Sequence, residues 1–392
     1  MVLQEVFSKY MENKIFLNRE ALTISFTPET IPHREKEIRD LGRILAPALK
    51  GGRPSNVFIY GRCGTGKTLV SRLVGQELSK AANGNSIKVV YTNCKMKKVA
   101  DTEYRILASF IKEFGKEVPF TGLPTAQVYR TFFDTLDEKP QTLILIIDEI
   151  DALVQKTGDE ILYNLTRMNQ ELKKSRVSIV GITNKIGFIE NFDPRVRSSL
   201  SEEELIFHPY NAVQLQDILR NRALLAFSPD VLGEGVIEKC SALAAQEHGD
   251  ARRALDLLRV AGELAERNGD TQVLLKHVDM AEEKIDLDRF VELMKAQPKQ
   301  SQAILFAIMS FNQKEIETSD VIHKYSDVCQ SNGLKPLTQR RVSDLIAELD
   351  LLGVINTKVI SKGRYGRTRI ISLNVSPMVE KKLKVLLHQL FL

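Results

Sequence analysis

At 392 residues the chain exceeds what one ordinary hydrophobic core supports, and its 43% apolar content suffices for two or three folded domains. No run approaches the roughly 18 apolar residues that a membrane span requires, and the opening MVLQEVFSKYMENK carries charges where a signal peptide needs an apolar stretch, so the expectation is a cytoplasmic protein with no membrane partner. The net charge of +5 is unevenly placed: residues 299–392 hold 14 Lys and Arg against 8 Asp and Glu, the rest 41 against 42, an asymmetry that suits a C-terminal module facing a polyanion.

After a polar arm over residues 1–28, the first strand is expected over 55–60, inside SNVFIYGRCGTGKT. Gly61, Gly64 and Gly66 allow backbone conformations closed to other residues, so the loop can turn its N–H groups inward. The spacing Gly61-x-x-x-x-Gly66-Lys67-Thr68 matches a phosphate-cradling loop in which amides hold the anion, the lysine adds charge and the hydroxyl meets Mg²⁺. Leu69, Leu73, Val74 and Leu78 then recur at helical spacing. The nucleotide set is therefore Gly61, Cys63, Gly64, Thr65, Gly66, Lys67, Thr68 and Leu69, with ATP or ADP and Mg²⁺ as cofactors.

Further strand-like runs follow at 87–93, 142–148, 176–183 and about 204–207, separated by helix-period segments. That alternation predicts an α/β fold with a parallel five-stranded sheet over residues 29–208. The third run, TLILIID, stops at Asp148 and Glu149, at the strand edge where ligands of open sheets bind. Asp148 suits Mg²⁺ and Glu149 suits orienting an attacking water, although a strand-end carboxylate pair by itself is usually structural. Asn184, ending the fourth run, reads as a polar contact for water and phosphate or as a turn residue. Residues 94–141 exceed one crossover and contain EVPFTGLPTAQVY, while FDPRVRSSL carries Arg195 and Arg197. The four cysteines, Cys63, Cys94, Cys240 and Cys329, lack metal-ligand spacing and read as reduced thiols.

Residues 209–290 carry helical patterns broken by turns and are expected to form a small helical domain, with KAQPKQS at 295–301 as the linker to a module over 291–392. In GDARRALDLL, Asp250 is a good N-cap, and Arg252 and Arg253 fall in the first turn, where cations oppose the helix dipole unless an anion is near. The C-terminal module reads as three helices and a β-hairpin, a winged helix. Thr338, Gln339, Arg340 and Arg341 open its third helix, and Lys362, Arg364, Tyr365, Arg367 and Arg369 sit on the hairpin, a pattern suited to neutralising a duplex backbone.

These motifs together resemble an AAA+ ATPase, and IPHREKEI, IDEIDAL, DPRVRSSL and HGDARRALDLL resemble the archaeal replication initiator family related to the eukaryotic origin-recognition complex and its helicase-loading factor. The resemblance covers nearly the whole chain. It implies that Ile31, His33, Arg34 and Tyr210 border the adenine, that Arg252 is a lid sensor, and that Arg195 is a finger reaching a neighbouring ATP site. It further implies that Phe120, Thr121, Gly122, Leu123 and Pro124 touch DNA. The implied function is ATP-dependent marking of double-stranded origin DNA, with slow, switch-like hydrolysis, tight ADP retention and a nucleoid location. A replicative helicase of the minichromosome maintenance type and paralogous initiator subunits are the implied partners. A nucleotide-gated transcription regulator and a clamp-loader-like remodeller are the alternatives.

Overall fold

The structure is a computed structural model that describes residues 14–82, 87–95, 102–119, 122–200, 202–311, 313–361 and 367–391. Phe120, Thr121, Lys362, Arg364 and Tyr365 lie outside the described residues, and Arg367 is described by its backbone alone. The chain divides into two compact units, Met1–Gly262 with Gly269–Val273, and Glu263–Asn268 with Leu274–Leu392.

In the first unit, β1 (Asn56–Gly61), β2 (Ile87–Asn93), β3 (Thr142–Asp148), β4 (Arg176–Thr183) and β5 (Glu202–Phe207) form one sheet in the order β2-β3-β4-β1-β5. Every neighbouring pair is parallel, as the strand–helix alternation predicts. The register sets Asn93, Asp148, Ile182 and Ile59 level across four adjacent strands. The carboxyl ends of β1, β3 and β4 therefore meet at one place, although the chain visits them far apart.

Side chains alternate across the pleat, so each strand feeds two cores. Val57, Ile59, Ile144, Ile146, Val180 and Ile182 pack under α1 (Glu35–Leu45) and α2 (Lys67–Ala81). Phe58, Leu143, Leu145, Ile147, Val177 and Ile179 face the opposite layer, formed by α3 (Glu103–Glu113), α4 (Thr125–Leu136), α5 (Ile150–Thr157), α6 (Glu160–Glu171) and α7 (Pro194–Leu200). A sheet covered on both faces explains why the strands read as continuous apolar runs. Gly181 is required by this packing, since a Cβ there would stand 2.8 Å from the Phe58 ring. Truncating fully buried Phe58 to Ala would cost about 3–5 kcal/mol.

Past β5 come α8 (Ala212–Ala226), α9 (Val236–Gln246) and α10 (Ala251–Asn268). A reciprocal capping box between Asn211 and Gln214 starts α8. From Lys14 onward the N-terminal segment is packed against this helix: Leu17 N–H donates to Ala226 O at 2.8 Å, and the Phe16 ring stacks on Phe227 at 4.8 Å. Arg222 of α8, itself buried, donates to Ala21 O and Phe26 O.

The second unit holds α11 (Leu275–Ala296), α12 (Lys299–Met309), β6 (Ile316–Glu317), α13 (Thr318–Ser331), α14 (Gln339–Leu351), β7 (Ile355–Ser361), β8 (Arg367–Leu373) and α15 (Pro377–Phe391). The three strands form an antiparallel sheet in the order β6-β8-β7. Val342, Leu345, Ile346 and Leu349 of α14 bury one face against Tyr325 and Ile304. The stretch expected as a linker is a tight turn between α11 and α12, where buried Gln302 donates to Met294 O at 2.8 Å. Among the described residues no helix is long and apolar enough to cross a membrane.

Candidate functional site

The loop after β1 turns at Gly64 (φ 68°) and Gly66 (φ 91°), backbone conformations that favour glycine, and runs into the N-terminus of α2. It opens on a cavity of about 860 Å³, within the size range of small-molecule sites. Lys67 is 6% exposed, and its ammonium donates to Gly61 O (2.7 Å), Arg62 O (2.7 Å) and Asn184 Oδ1 (2.8 Å). Burial pulls its pKa below the ordinary lysine value, opposed by Cys63 and Asp148 nearby.

Thr68 Oγ1 donates to Asp148 Oδ2 at 2.8 Å, and Tyr91 O–H donates to the same oxygen at 2.8 Å. The Glu149 N–H donates to Asp148 Oδ1 at 2.9 Å, so both carboxylate oxygens are fixed. Burial, then the charge of Asp148, pushes the Tyr91 hydroxyl up to about 12, which keeps it a donor at neutral pH. The ring of Tyr91 in turn lies 3.7 Å beneath the Arg72 guanidinium, one helical turn past Thr68.

Glu149 adopts φ 55°, ψ 44°, left-handed backbone that costs a non-glycine residue on the order of 1–3 kcal/mol. The strain aims its carboxylate off the end of β3, where it meets Lys95 Nζ at 2.8 Å and Asn184 Nδ2 at 3.4 Å. Asp151, in the first turn of α5, accepts from Thr183 Oγ1 and pairs with Lys185 instead.

Ile31, Cys63, Gly64, Thr65, Gly66, Lys67, Thr68, Leu69, Asp148, Glu149, Asn184, Tyr210 and Arg252 all line the cavity. Gly61, His33 and Arg34 do not. Gly61 lies beneath the loop, its carbonyl on Lys67. His33 turns to Asp217 of α8 (Nε2 to Oδ2, 2.9 Å), and the buried Arg34 guanidinium is taken up mainly by main-chain carbonyls. The cavity's far wall is instead the stretch from Thr23 to Pro32 with Ile218 and Leu225 of α8. Tyr91, Lys95 and Arg72 were not singled out by motif; their signal is positional, since Asn93 pairs with Asp148 across the sheet.

Of the arginines that open α10, Arg253 is answered within the chain by Glu247 at 3.0 Å, whereas the Arg252 side chain makes no ion pair among the described residues and faces the cavity. Arg195 is 81% exposed, pairs with Asp193, and does not line the cavity. Arg197 is also exposed.

Hard oxygens 2.8 Å apart on Thr68 and Asp148 are suited to Mg²⁺, which keeps waters and shares phosphate oxygens. The glycine loop, the α2 N-terminus and Lys67 suit the phosphates themselves. Among the described residues no group of three or more His, Cys, Asp or Glu is arranged as a separate metal cage.

In the second unit, Thr338 caps α14 and puts Arg340 and Arg341 in its exposed first turn. Arg341 leans toward Glu348 (3.7 Å) and Asp344 (3.9 Å), while Arg340 makes no ion pair among the described residues. Arg369 is half-buried on β8, with its carbonyl accepting from Thr318. In the first unit, Leu123 packs against the core beside α4, and Pro124 caps that helix with Gly122 (φ 107°) before it.

Comparison with known proteins matches three segments. Residues 57–208 match the ATPase family associated with various cellular activities (AAA), 216–283 the Cdc6 AAA+ ATPase-type lid domain, and 292–382 the CDC6 C-terminal winged helix domain. An ORC1-type DNA replication protein of Pyrococcus horikoshii is 51% identical over 385 residues, covering 96% of this chain and 91% of that protein. ORC1-type DNA replication protein 1 of Methanosarcina mazei is 50% identical over 394 residues, 98% and 94% of the two chains. Among solved structures, the Aeropyrum pernix ORC1 protein in complex with DNA aligns with TM-score 0.81 and 44% identity over 97% of this chain and 98% of that one.

Proposed function

The chain belongs to the archaeal ORC1-type DNA replication proteins, AAA+ ATPases with a Cdc6-type lid and winged helix, and from that premise we propose that it is an ATP-dependent initiator that binds origin duplex and recruits or loads the replicative helicase. The observation that carries the enzymatic half is the meeting of Lys67, Thr68, Asp148, Glu149 and Asn184 at the ends of three adjacent strands.

In this reading the loop amides and Lys67 bind the β- and γ-phosphates, and Thr68 and Asp148 would hold Mg²⁺, which supplies charge neutralisation on the transferring phosphoryl group. Glu149 orients and polarises the attacking water. Asn184, between Lys67 and Glu149, keeps the lysine aimed at the phosphates and the carboxylate aimed at the water. Arg252 approaches the phosphates from the lid, where an anion reverses the cost of a cation at a helix N-terminus. The base lies against Ile31, Tyr210 and the Thr23–Pro32 stretch. Hydrolysis is slow and switch-like, and Arg195, exposed and among the described residues held by Asp193 alone, is free to reach a paralogous neighbour's nucleotide.

On the DNA side, Thr338, Gln339, Arg340 and Arg341 enter the major groove and the hairpin neutralises the backbone, Arg369 with the residues of its tip. Gly122 to Pro124 form a second contact on the ATPase unit. The aligned Aeropyrum pernix protein, in complex with DNA, supports this reading. DNase footprinting of the full chain on origin duplex at about 0.15 M salt tests it, because phosphate-driven affinity is salt-dependent. A discrete footprint that fades in the Arg340→Ala/Arg341→Ala double variant is expected. A uniform, unpositioned response would overturn origin recognition.

A further inference from the structure

We propose that Arg34 is a positioning residue that locks the phosphate loop to the hinge of the lid, so that nucleotide bound at the loop sets the lid's orientation; this rests on the nucleotide site proposed above.

Arg34 is 3% exposed, yet its charge is spent mainly on main-chain carbonyls. Nε donates to Thr65 O of the phosphate loop at 2.9 Å, and Nη2 donates to His208 O, in the connection from β5 to α8, at 2.6 Å. Nη1 reaches His33 O at 3.2 Å and Glu37 Oε1 at 3.3 Å, which supplies the compensating charge. One planar guanidinium thus holds three backbone segments. Its face lies 3.9 Å over the Tyr210 ring and its other contact is Phe207 at 5.5 Å, so the hinge residues on either side of His208 clamp it in place.

The linkage closes on itself. Tyr210 N–H donates to Gly249 O at 3.3 Å, and Ala251 N–H, at the start of α10, donates to Gly64 O at 3.3 Å. A Cβ on Gly64 would stand 1.6 Å from Asp250 Oδ1, and one on Gly249 would stand 2.3 Å from Tyr210 O, so these segments approach as closely as backbone allows. Loop, guanidinium, hinge and lid helix form a ring of contacts in which Thr65 cannot shift without pulling His208. A lysine cannot replace the fork, because an ammonium is a point donor and Arg34 uses three nitrogens in one plane.

The test is hydrogen exchange on the full chain, with and without saturating ADP, for wild type, Arg34→Gln and Arg34→Lys, with thermal melts to confirm folding. In wild type, ADP slows exchange at least tenfold both at residues 64–70 and at 208–226. In the variants, ADP still slows exchange at 64–70, but the increment at 208–226 falls to less than twofold. A simply structural arginine would loosen both segments in every state and leave the ADP-dependent increment intact. If either folded variant keeps the wild-type increment at 208–226, the coupling role is overturned. If wild type itself gains no protection at 64–70, the nucleotide reading fails, and this proposal with it.

Discussion

Lys95 Nζ and Glu149 Oε2 lie 2.8 Å apart, a cation from the end of β2 holding the carboxylate proposed to activate water. Lys95 is 62% exposed, and exposed pairs contribute at most about 1 kcal/mol. The pair is therefore a restraint on where Glu149 points and adds little stability. Lys95→Ala should leave the melting temperature and ATP affinity unchanged and raise single-turnover hydrolysis about twofold to fivefold. A fall in turnover would instead make Lys95 part of the productive geometry.

Binding and turnover should separate between Lys67 and Glu149. Lys67→Ala removes a buried cation with three oxygen partners, and fluorescent-nucleotide binding should become undetectable. Glu149→Gln keeps the side-chain shape and the left-handed backbone, so nucleotide affinity should stay within about threefold while phosphate release drops at least a hundredfold. Retained release would refute the role given to Glu149.

Tyr91 should govern the metal dependence. Its hydroxyl and that of Thr68 share Asp148 Oδ2, so when Thr68 turns toward a cation, Tyr91 is what keeps the carboxylate aligned. Outer partners of metal ligands typically matter tenfold or more. In Tyr91→Phe the Mg²⁺ concentration for half-maximal ATP binding should rise about tenfold, with binding in EDTA unaffected. A titration identical to wild type would show that Thr68 and Glu149 N–H suffice.

Alkaline stability should be limited by buried thiols. Burial pushes Cys240 from 9.0 up to about 12. Above pH 9 the unfolded chain releases this proton while the folded one keeps it, so stability is complete below pH 9 and declines as pH rises toward 12. At pH 10 the loss is on the order of 1 kcal/mol for this thiol. Urea midpoints at pH 8 and pH 10 should differ less in Cys240→Ala than in wild type. Ellman's reagent should label one thiol rapidly in the native protein, the exposed Cys63, and label it more slowly with nucleotide bound.

Much of this architecture was legible, and the exceptions have physical causes. The runs 142–148 and 176–183 coincide with β3 and β4 because central strands buried on both faces leave little room for polar residues, and the run 87–93 coincides with β2, an edge strand that is only partly buried. β5 starts at Glu202, earlier than the expected 204, because the exposed Glu203 and Glu204 of this edge strand break the apolar pattern by which a strand is recognised. β6 has two residues, too few for any period. Lys67, Thr68, Asp148, Glu149 and Asn184 announced themselves by type and strand-end position. Arg34 entered only through the family resemblance, in another role, and Tyr91 and Lys95 not at all, since what defines the three is a partner supplied by the fold: carbonyls of Thr65 and His208, a register that sets Asn93 beside Asp148, and a carboxylate turned by left-handed backbone.

The strand order has a consequence for synthesis. The Lys67–Asn184 hydrogen bond spans 117 positions, and β1 is flanked by β4 and β5, the last two strands of this sheet to leave the ribosome. A nascent chain stopped short of β4 owns a complete glycine loop with nothing beside it. Closing such separations is slow and entropically costly, so the sheet zips late. Under the proposed function, nucleotide capture then reports that the ATPase unit has finished folding, and truncated or misfolded products would be silent in every step that ATP gates.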